Sequence, residues 1–152
     1  MKQLVKIIAS FFYIGYLPFM PGTFGSLAGL GVYFLIRNNI WAYVLLVMVL
    51  VVLGFLVSGR FEKIMGKKDD QRIVIDEVVG IFLSLLFVPY DLRLVAAGFI
   101  IFRILDTLKP FAIRRLQNLK GSSGVMLDDI AAALCTNIIL QLFLSLTFFK
   151  AS

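Results

Sequence analysis

Residues 78–102, VVGIFLSLLFVPYDLRLVAAGFIIF, decide how the chain is organised. Read as one helix, the stretch would hold Asp91 and Arg93 at mid-membrane, where each charge costs about 2.5–3.5 kcal/mol on insertion scales. Read as two short helices turning at Pro89-Tyr90-Asp91, it returns the chain to the side it came from. On either side of it, Asn38 to Gly59 runs 22 residues without a charge and Ile130 to Phe149 runs 20. Each is long enough to cross a hydrocarbon core of about 30 Å. Ile7 to Ile36 is also uncharged, but Pro18, Pro21 and Gly22 interrupt it, and two prolines this close end a helix. The expectation is a span cored on Gly25 to Ile36, preceded by an interfacial or re-entrant aromatic stretch from Phe11 to Phe19.

Basic residues choose between the two readings, because they concentrate in cytoplasmic loops. With a hairpin and the N-terminus inside, 12 of the 15 lie on the cytoplasmic side, leaving Arg37, Arg93 and Lys150 opposite. The predicted fold is therefore all-α: a single domain over 1–152, forming a small polytopic membrane helical bundle with a re-entrant or short-helix hairpin. The short helices imply a thinned bilayer or re-entrance. Composition agrees, since 61% of residues are hydrophobic and 16% charged, against about 25% charged in soluble domains. A net charge of +6 would suggest nucleic acid for a soluble chain; here the cytoplasmic face accounts for it, and no nucleic-acid partner is expected. The residues after Met1-Lys2 lack the small-residue cleavage site of a signal peptide.

The chain has no histidine, which removes every mechanism needing an imidazole as base, nucleophile or metal ligand. The one cysteine, Cys135, sits in an apolar run and reads as a packing residue, so proton transfer and metal binding fall to the nine carboxylates. On the hairpin topology Asp76, Glu77, Asp106, Asp128 and Asp129 emerge together at cytoplasmic helix ends. Carboxylates from different helices are what a hard divalent cation needs, because Mg²⁺ takes oxygen ligands. Asp128 or Asp129 could instead cap the last helix, and Asp69-Asp70 reads as a solvated loop. In Arg103-Ile-Leu-Asp106-Thr-Leu-Lys109-Pro110, a spacing of three puts Arg103, Asp106 and Lys109 on one helical face. That face serves either a salt-bridge ladder or a phosphate grip. Arg114, Arg115 and Lys120 suit contact with anionic headgroups. Pro18-Phe-Met-Pro21-Gly22-Thr23-Phe-Gly25-Ser26 offers a free backbone, a helix N-terminus and two hydroxyls to an anion, though such a turn also starts ordinary helices. Gly121-Ser-Ser-Gly124 is similar.

Three stretches together resemble the phosphatidylglycerophosphatase A family: Pro21-Gly-Thr-Phe-Gly-Ser26; Asp76-Glu-Val-Val-Gly80; and Phe102-Arg-Ile-Leu-Asp-Thr-Leu-Lys-Pro110 followed by Gly124-Val-Met-Leu-Asp-Asp129. Leu105, where the family usually has an aromatic residue, and a glycine-poor Ile14 to Leu17 depart from its pattern without removing a chemical group. The resemblance covers nearly the whole chain and implies Mg²⁺-dependent hydrolysis of phosphatidylglycerophosphate to phosphatidylglycerol and phosphate in the bacterial inner membrane, with the site on the cytoplasmic face. Asp76, Glu77, Asp128 and Asp129 would then hold the metal, and Gly22, Thr23 and Ser26 would cradle the substrate phosphate. Arg103, Asp106 and Lys109 would act on the reacting group, with Asp106 binding metal or orienting water. Neither the Asp-x-Asp of haloacid-dehalogenase phosphatases nor the Cys-x5-Arg of cysteine phosphatases is present, so water is the default nucleophile, with a covalent phosphate on Asp106 as the alternative. The competing reading is a non-enzymatic cation-binding protein or ion pathway, which would want acids at mid-span; the span interiors carry none. The pattern of CDP-alcohol phosphotransferases is absent too. Oligomeric state leaves no trace in the sequence.

Overall fold

Two helical stretches of the computed structural model, Ile40–Met65 and Ser122–Thr147, are each 26 residues long and apolar enough to cross a membrane. The structure describes residues 1–151, except the side chains of Phe111, Ala112, Arg114 and 148–151, so Arg114 as a headgroup contact lies outside the described residues. Among these, seven α-helices follow in order: α1 Lys2–Ala9, α2 Pro21–Ile36, α3 Ile40–Met65, α4 Ile75–Leu85, α5 Leu92–Leu108, α6 Phe111–Gln117 and α7 Ser122–Ala151. A 3₁₀ turn at Ile14–Tyr16 joins the first two. No strand occurs among the described residues. The chain is a small membrane helical bundle, in keeping with its long charge-free runs.

Helix α4 is the axis. It packs against α2, α3, α5 and α7, and all of its residues except Glu77 and Leu83 are buried. Close approach of α2 depends on small residues. A Cβ on Gly29 would lie 3.3 Å from Val78 Cα, and one on Gly25 would lie 2.7 Å from Val74 Cβ. This small-residue spacing is how helices come together where lipid is as apolar as the core.

Eleven residues make α4 only about 16 Å long, half of a hydrocarbon core. It can stop inside the bundle because its last carbonyls find donors. Asn137 Nδ2 on α7 donates to Ser84 O at 3.1 Å and Leu86 O at 2.8 Å, and Gln141 Nε2 donates to Phe87 O at 3.2 Å. Tyr43 Oη donates to Phe82 O at 2.6 Å. Without such partners an ended helix in a dry interior would leave several kcal/mol of unsatisfied polar groups. The chain then turns through Pro89 and Tyr90. Asp91 caps α5, its Oδ1 accepting from Arg93 N at 2.7 Å, and Asp91 and Arg93 are exposed at the turn. The short-helix form of the hairpin is the observed one.

Helix α2 starts at Pro21, because proline at the first helical position needs no N–H and presets φ, and it contains the expected core Gly25 to Ile36. Two sequence expectations are corrected here. Cys135 is exposed rather than packed; α7 is apolar on every side, so an apolar neighbourhood did not mark its inner face. Asp70 is buried, held by Arg72 through Nε to Oδ1 at 2.8 Å and Nη2 to Oδ2 at 2.5 Å. That doubly bonded guanidinium holds the Asp70 carboxyl below its ordinary value, against the opposing effect of burial.

The segment Phe11 to Phe19 is a folded turn. Phe11, Phe12 and Tyr13 are all left-handed, at φ 43, 58 and 67°, a conformation costing roughly 1 kcal/mol or more per residue. Ser10 stabilises it, its hydroxyl donating to Lys6 O at 2.6 Å and accepting from Tyr13 N at 3.1 Å. The turn is tied to the segment before α4: Val74 N donates to Ala9 O at 3.0 Å, and Gly15 meets the Arg72 carbonyl so closely that no Cβ would fit.

Candidate active site

A cleft of about 540 Å³ opens at the end of the bundle where α4 and α7 begin and α5 finishes. Its lining includes Pro18, Met20, Pro21, Gly22, the loop Asp69 to Gln71, Asp76, Glu77, Arg103, Asp106, Lys109, Asp128 and Asp129. Of the expected site residues, Thr23 and Ser26 stand outside this lining. Asp76 and Glu77 occupy the first turn of α4, where the helix dipole favours negative charge. Asp128 and Asp129 lie in the second turn of α7, since that helix starts at Ser122. They are therefore not its caps.

One ligand oxygen each from Asp76, Glu77 and Asp129 falls within 4.8 Å of the others. Asp128 stands apart from this trio. Its Oδ2 accepts from Lys109 Nζ at 2.6 Å, while its Oδ1 is buried without a partner among the described residues. Glu77 Oε2 is likewise buried and unpartnered. Buried acceptors left bare cost about 1–3 kcal/mol each, more when charged. Clustered acids with bare oxygens, and no histidine or cysteine in the cleft lining, are a donor set for a hard cation such as Mg²⁺. The residues present fit that ion.

Arg103 ties the acids to α2. Its Nη1 donates to Asp106 Oδ2 at 2.7 Å and lies 4.0 Å from Glu77 Oε1, and its Nη2 donates to Thr23 Oγ1 at 3.3 Å. Thr23 thus positions the guanidinium. Ser26 is fully buried, its hydroxyl donating to Gly22 O at 3.0 Å, so it shapes the loop from behind. Gly22 is where backbone and acid nearly touch: a Cβ there would collide with Glu77 Oε1 and stand 3.3 Å from Arg103 Nη1.

Lys109 departs from the expected helical face. Helix α5 ends at Leu108, and Lys109 is its left-handed cap at φ 42°. Glycine is favoured at such a position, yet a long cation stands there and reaches Asp128. Burial works against the Lys109 charge, but the hydrogen bond and charge of Asp128, with Asp129 and Asp106, outweigh it and hold the ammonium above its ordinary value. Arg103 with Asp106 and Lys109 with Asp128 are therefore two separate pairs. Sequence reading missed Asp70 and Gln71 as a wall of the cleft. The signal was the spacing Asp70-x-Arg72, which lets an acid in a charged loop be bonded and buried.

A family model described as phosphatidylglycerophosphatase A matches residues 7–144. The Escherichia coli phosphatidylglycerophosphatase A is 41% identical over 83% of this chain and 75% of its own length. The Haemophilus influenzae protein of that name is 34% identical over 89% and 85%. A Bacteroides thetaiotaomicron protein, named provisionally as a phosphatidylinositol-3-phosphatase, is 36% identical over 90% and 91%. No solved structure matches the chain significantly.

Proposed function

Since the chain belongs to the phosphatidylglycerophosphatase A family, a family of phosphatases, we propose that it hydrolyses the terminal phosphate of phosphatidylglycerophosphate in a Mg²⁺-dependent reaction. The products are phosphatidylglycerol and inorganic phosphate. The observation that carries this reading is the convergence of Asp76, Glu77 and Asp129 beside two cations, Arg103 and Lys109, in one cleft.

Asp76, Glu77 and Asp129 would hold Mg²⁺, with Asp128 Oδ1 as a further oxygen at the same cleft. When bound, that ion supplies Lewis-acid polarisation of a phosphate oxygen and offsets charge on the departing one. Arg103 and Lys109 bind the remaining phosphate oxygens, and their attraction grows as charge develops. Asp106, fixed by Arg103, orients a water and accepts its proton as the new P–O bond forms. The ester P–O bond breaks, and the proton that Asp106 took from the water passes to the departing oxygen, which leaves as the lipid alcohol. Gly22 brings the backbone of the α2 N-terminus against the phosphate.

The basic loops on either side of α4–α5 share one end of the bundle, since Gln117 Nε2 donates to Asp69 Oδ2 at 2.6 Å. The positive-inside tendency makes that end cytoplasmic, giving a multi-pass protein of the bacterial inner membrane. The test is phosphate release by purified protein in mixed micelles from phosphatidylglycerophosphate, phosphatidylinositol 3-phosphate and phosphatidic acid, with Mg²⁺ or EDTA. Preference for the first lipid, and loss of turnover with EDTA or Asp129→Asn, is expected. Full turnover in EDTA would overturn the metal assignment, and preference for the inositol lipid would overturn the substrate.

A further inference from the structure

We infer that the aromatic turn Phe12–Met20 is the portal through which the diacylglycerol end of the substrate reaches the cleft, its side chains lying in the lipid interface. The inference rests on the lipid-phosphatase reading and adds what that reading lacks, a path between bilayer and site. Phe12 is 74% exposed, Phe19 78% and Met20 69%, within nine residues of one another. They stand at the end of the bundle that carries the acids, where a wholly water-facing surface would not hold such a patch.

Two observations join the patch to the chemistry. Pro18 and Met20 line the cleft that Asp76, Glu77 and Arg103 line, so its mouth borders the aromatic turn directly. The turn is also held to the loop that carries Asp70 and Gln71: the Arg72 guanidinium lies 5.5 Å from the Tyr16 ring centre, and Gly15 abuts the Arg72 carbonyl. A phosphomonoester borne on a diacylglycerol fits this arrangement, with its anionic head among Arg103 and Lys109 and its acyl ends on Phe12 and Phe19. A water-soluble phosphomonoester gains nothing from that rim. The turn thus selects lipid-borne substrate.

The test compares a dioleoyl lipid phosphomonoester in mixed micelles with its dibutanoyl analogue, which stays in water. In Phe12→Ser/Phe19→Ser, apparent KM for the long-chain lipid should rise on the order of tenfold, the loss expected when the acyl chains no longer meet these rings. Its kcat, and turnover of the dibutanoyl compound, should stay within about twofold, and Phe19→Trp should keep the low KM. An unchanged long-chain KM would overturn the portal, and equal losses on both substrates would reduce the turn to a structural role. A second measurement needs no turnover: in a Trp41→Phe background, Phe19→Trp should be quenched by lipids brominated near the headgroup. Absence of quenching refutes the portal. Quenching without phosphate release by the unaltered protein refutes the phosphatase reading instead.

Discussion

Replacing Lys109 probes backbone and charge at one position. Lys109→Ala removes the Nζ that bonds Asp128 Oδ2 at 2.6 Å. The Asp128 side chain is 3% exposed and that of Lys109 23%, so a buried acid loses the cation that is bonded to it. Breaking a buried pair from one side costs about 3–5 kcal/mol, and partial exposure of the lysine puts this case near 3. Alanine also keeps the left-handed strain at φ 42°, whereas Lys109→Gly relieves it by about 1 kcal/mol. Glycine should therefore be the more stable of the two variants by that margin, while both lose activity alike. Because the Lys109 ammonium is held above its ordinary 10.5, the lysine side of the pair is charged below that pH and is lost as pH rises through the folded-state value, while protonation of Asp128 in acid removes the other side. The assays are unfolding in a titration with denaturing detergent and steady-state phosphate release. A cation that binds the reacting phosphate should cost about a hundredfold in kcat when removed. A rise in KM alone, with kcat intact, would refute the reasoning and pass the phosphate grip to Arg103.

Gly22→Ala should cut turnover at least tenfold while changing stability by less than about 1 kcal/mol, because the atom its Cβ meets is the movable end of Glu77; equal activity would show that Glu77 may sit elsewhere. Asn137→Leu should cost about 1–2 kcal/mol in the detergent titration, the worth of two interhelical hydrogen bonds in a membrane, and no loss would mean water caps α4. With Cys135→Ala as background, cysteines placed by Lys68→Cys and Asn118→Cys should label from the same face of sealed vesicles, and opposite accessibility would break the shared site. Lowering pH below 3.8 should release the loop at Asp70, since its depressed pKa gives stability that is present above its ordinary value and lost on protonation; proteolysis between Gly66 and Val74 would report it.

What was legible in the sequence was whatever the bilayer dictates. Charge-free runs of the right length gave α3 and α7, and the cost of Asp91 and Arg93 at mid-membrane gave the hairpin. The meeting of Asp76, Glu77, Arg103 and Asp129 followed from putting their helix ends on one side. Local backbone was not legible. Nothing in Phe11-Phe12-Tyr13 announces three left-handed residues, because aromatic chains ordinarily avoid that region and tertiary ties to Val74 and Arg72 impose it. The end of α5 was hidden too, as Thr107-Leu108-Lys109 continues a helical spacing that only Pro110 interrupts. Ser26 looked like a phosphate donor by spacing, yet a serine inside a helix can turn its hydroxyl to the carbonyl four residues back. Which oxygen of Asp128 faces Lys109 is a matter of rotamers.

Helix α4 carries two of the acids and touches four other helices while ending well inside the bundle. The outer helices consequently act as a sheath around a rod. Lateral pressure, acyl-chain length and headgroup composition press on α2, α3, α5 and α7, which can tilt or slide by small amounts. The rod is held by hydrogen bonds from Tyr43 and Asn137 and by its glycine-smoothed flank on α2. Asp76 and Glu77, neighbours on the rod, thereby keep their register with one another as the membrane changes, while Asp106 and Asp129 follow the sheath.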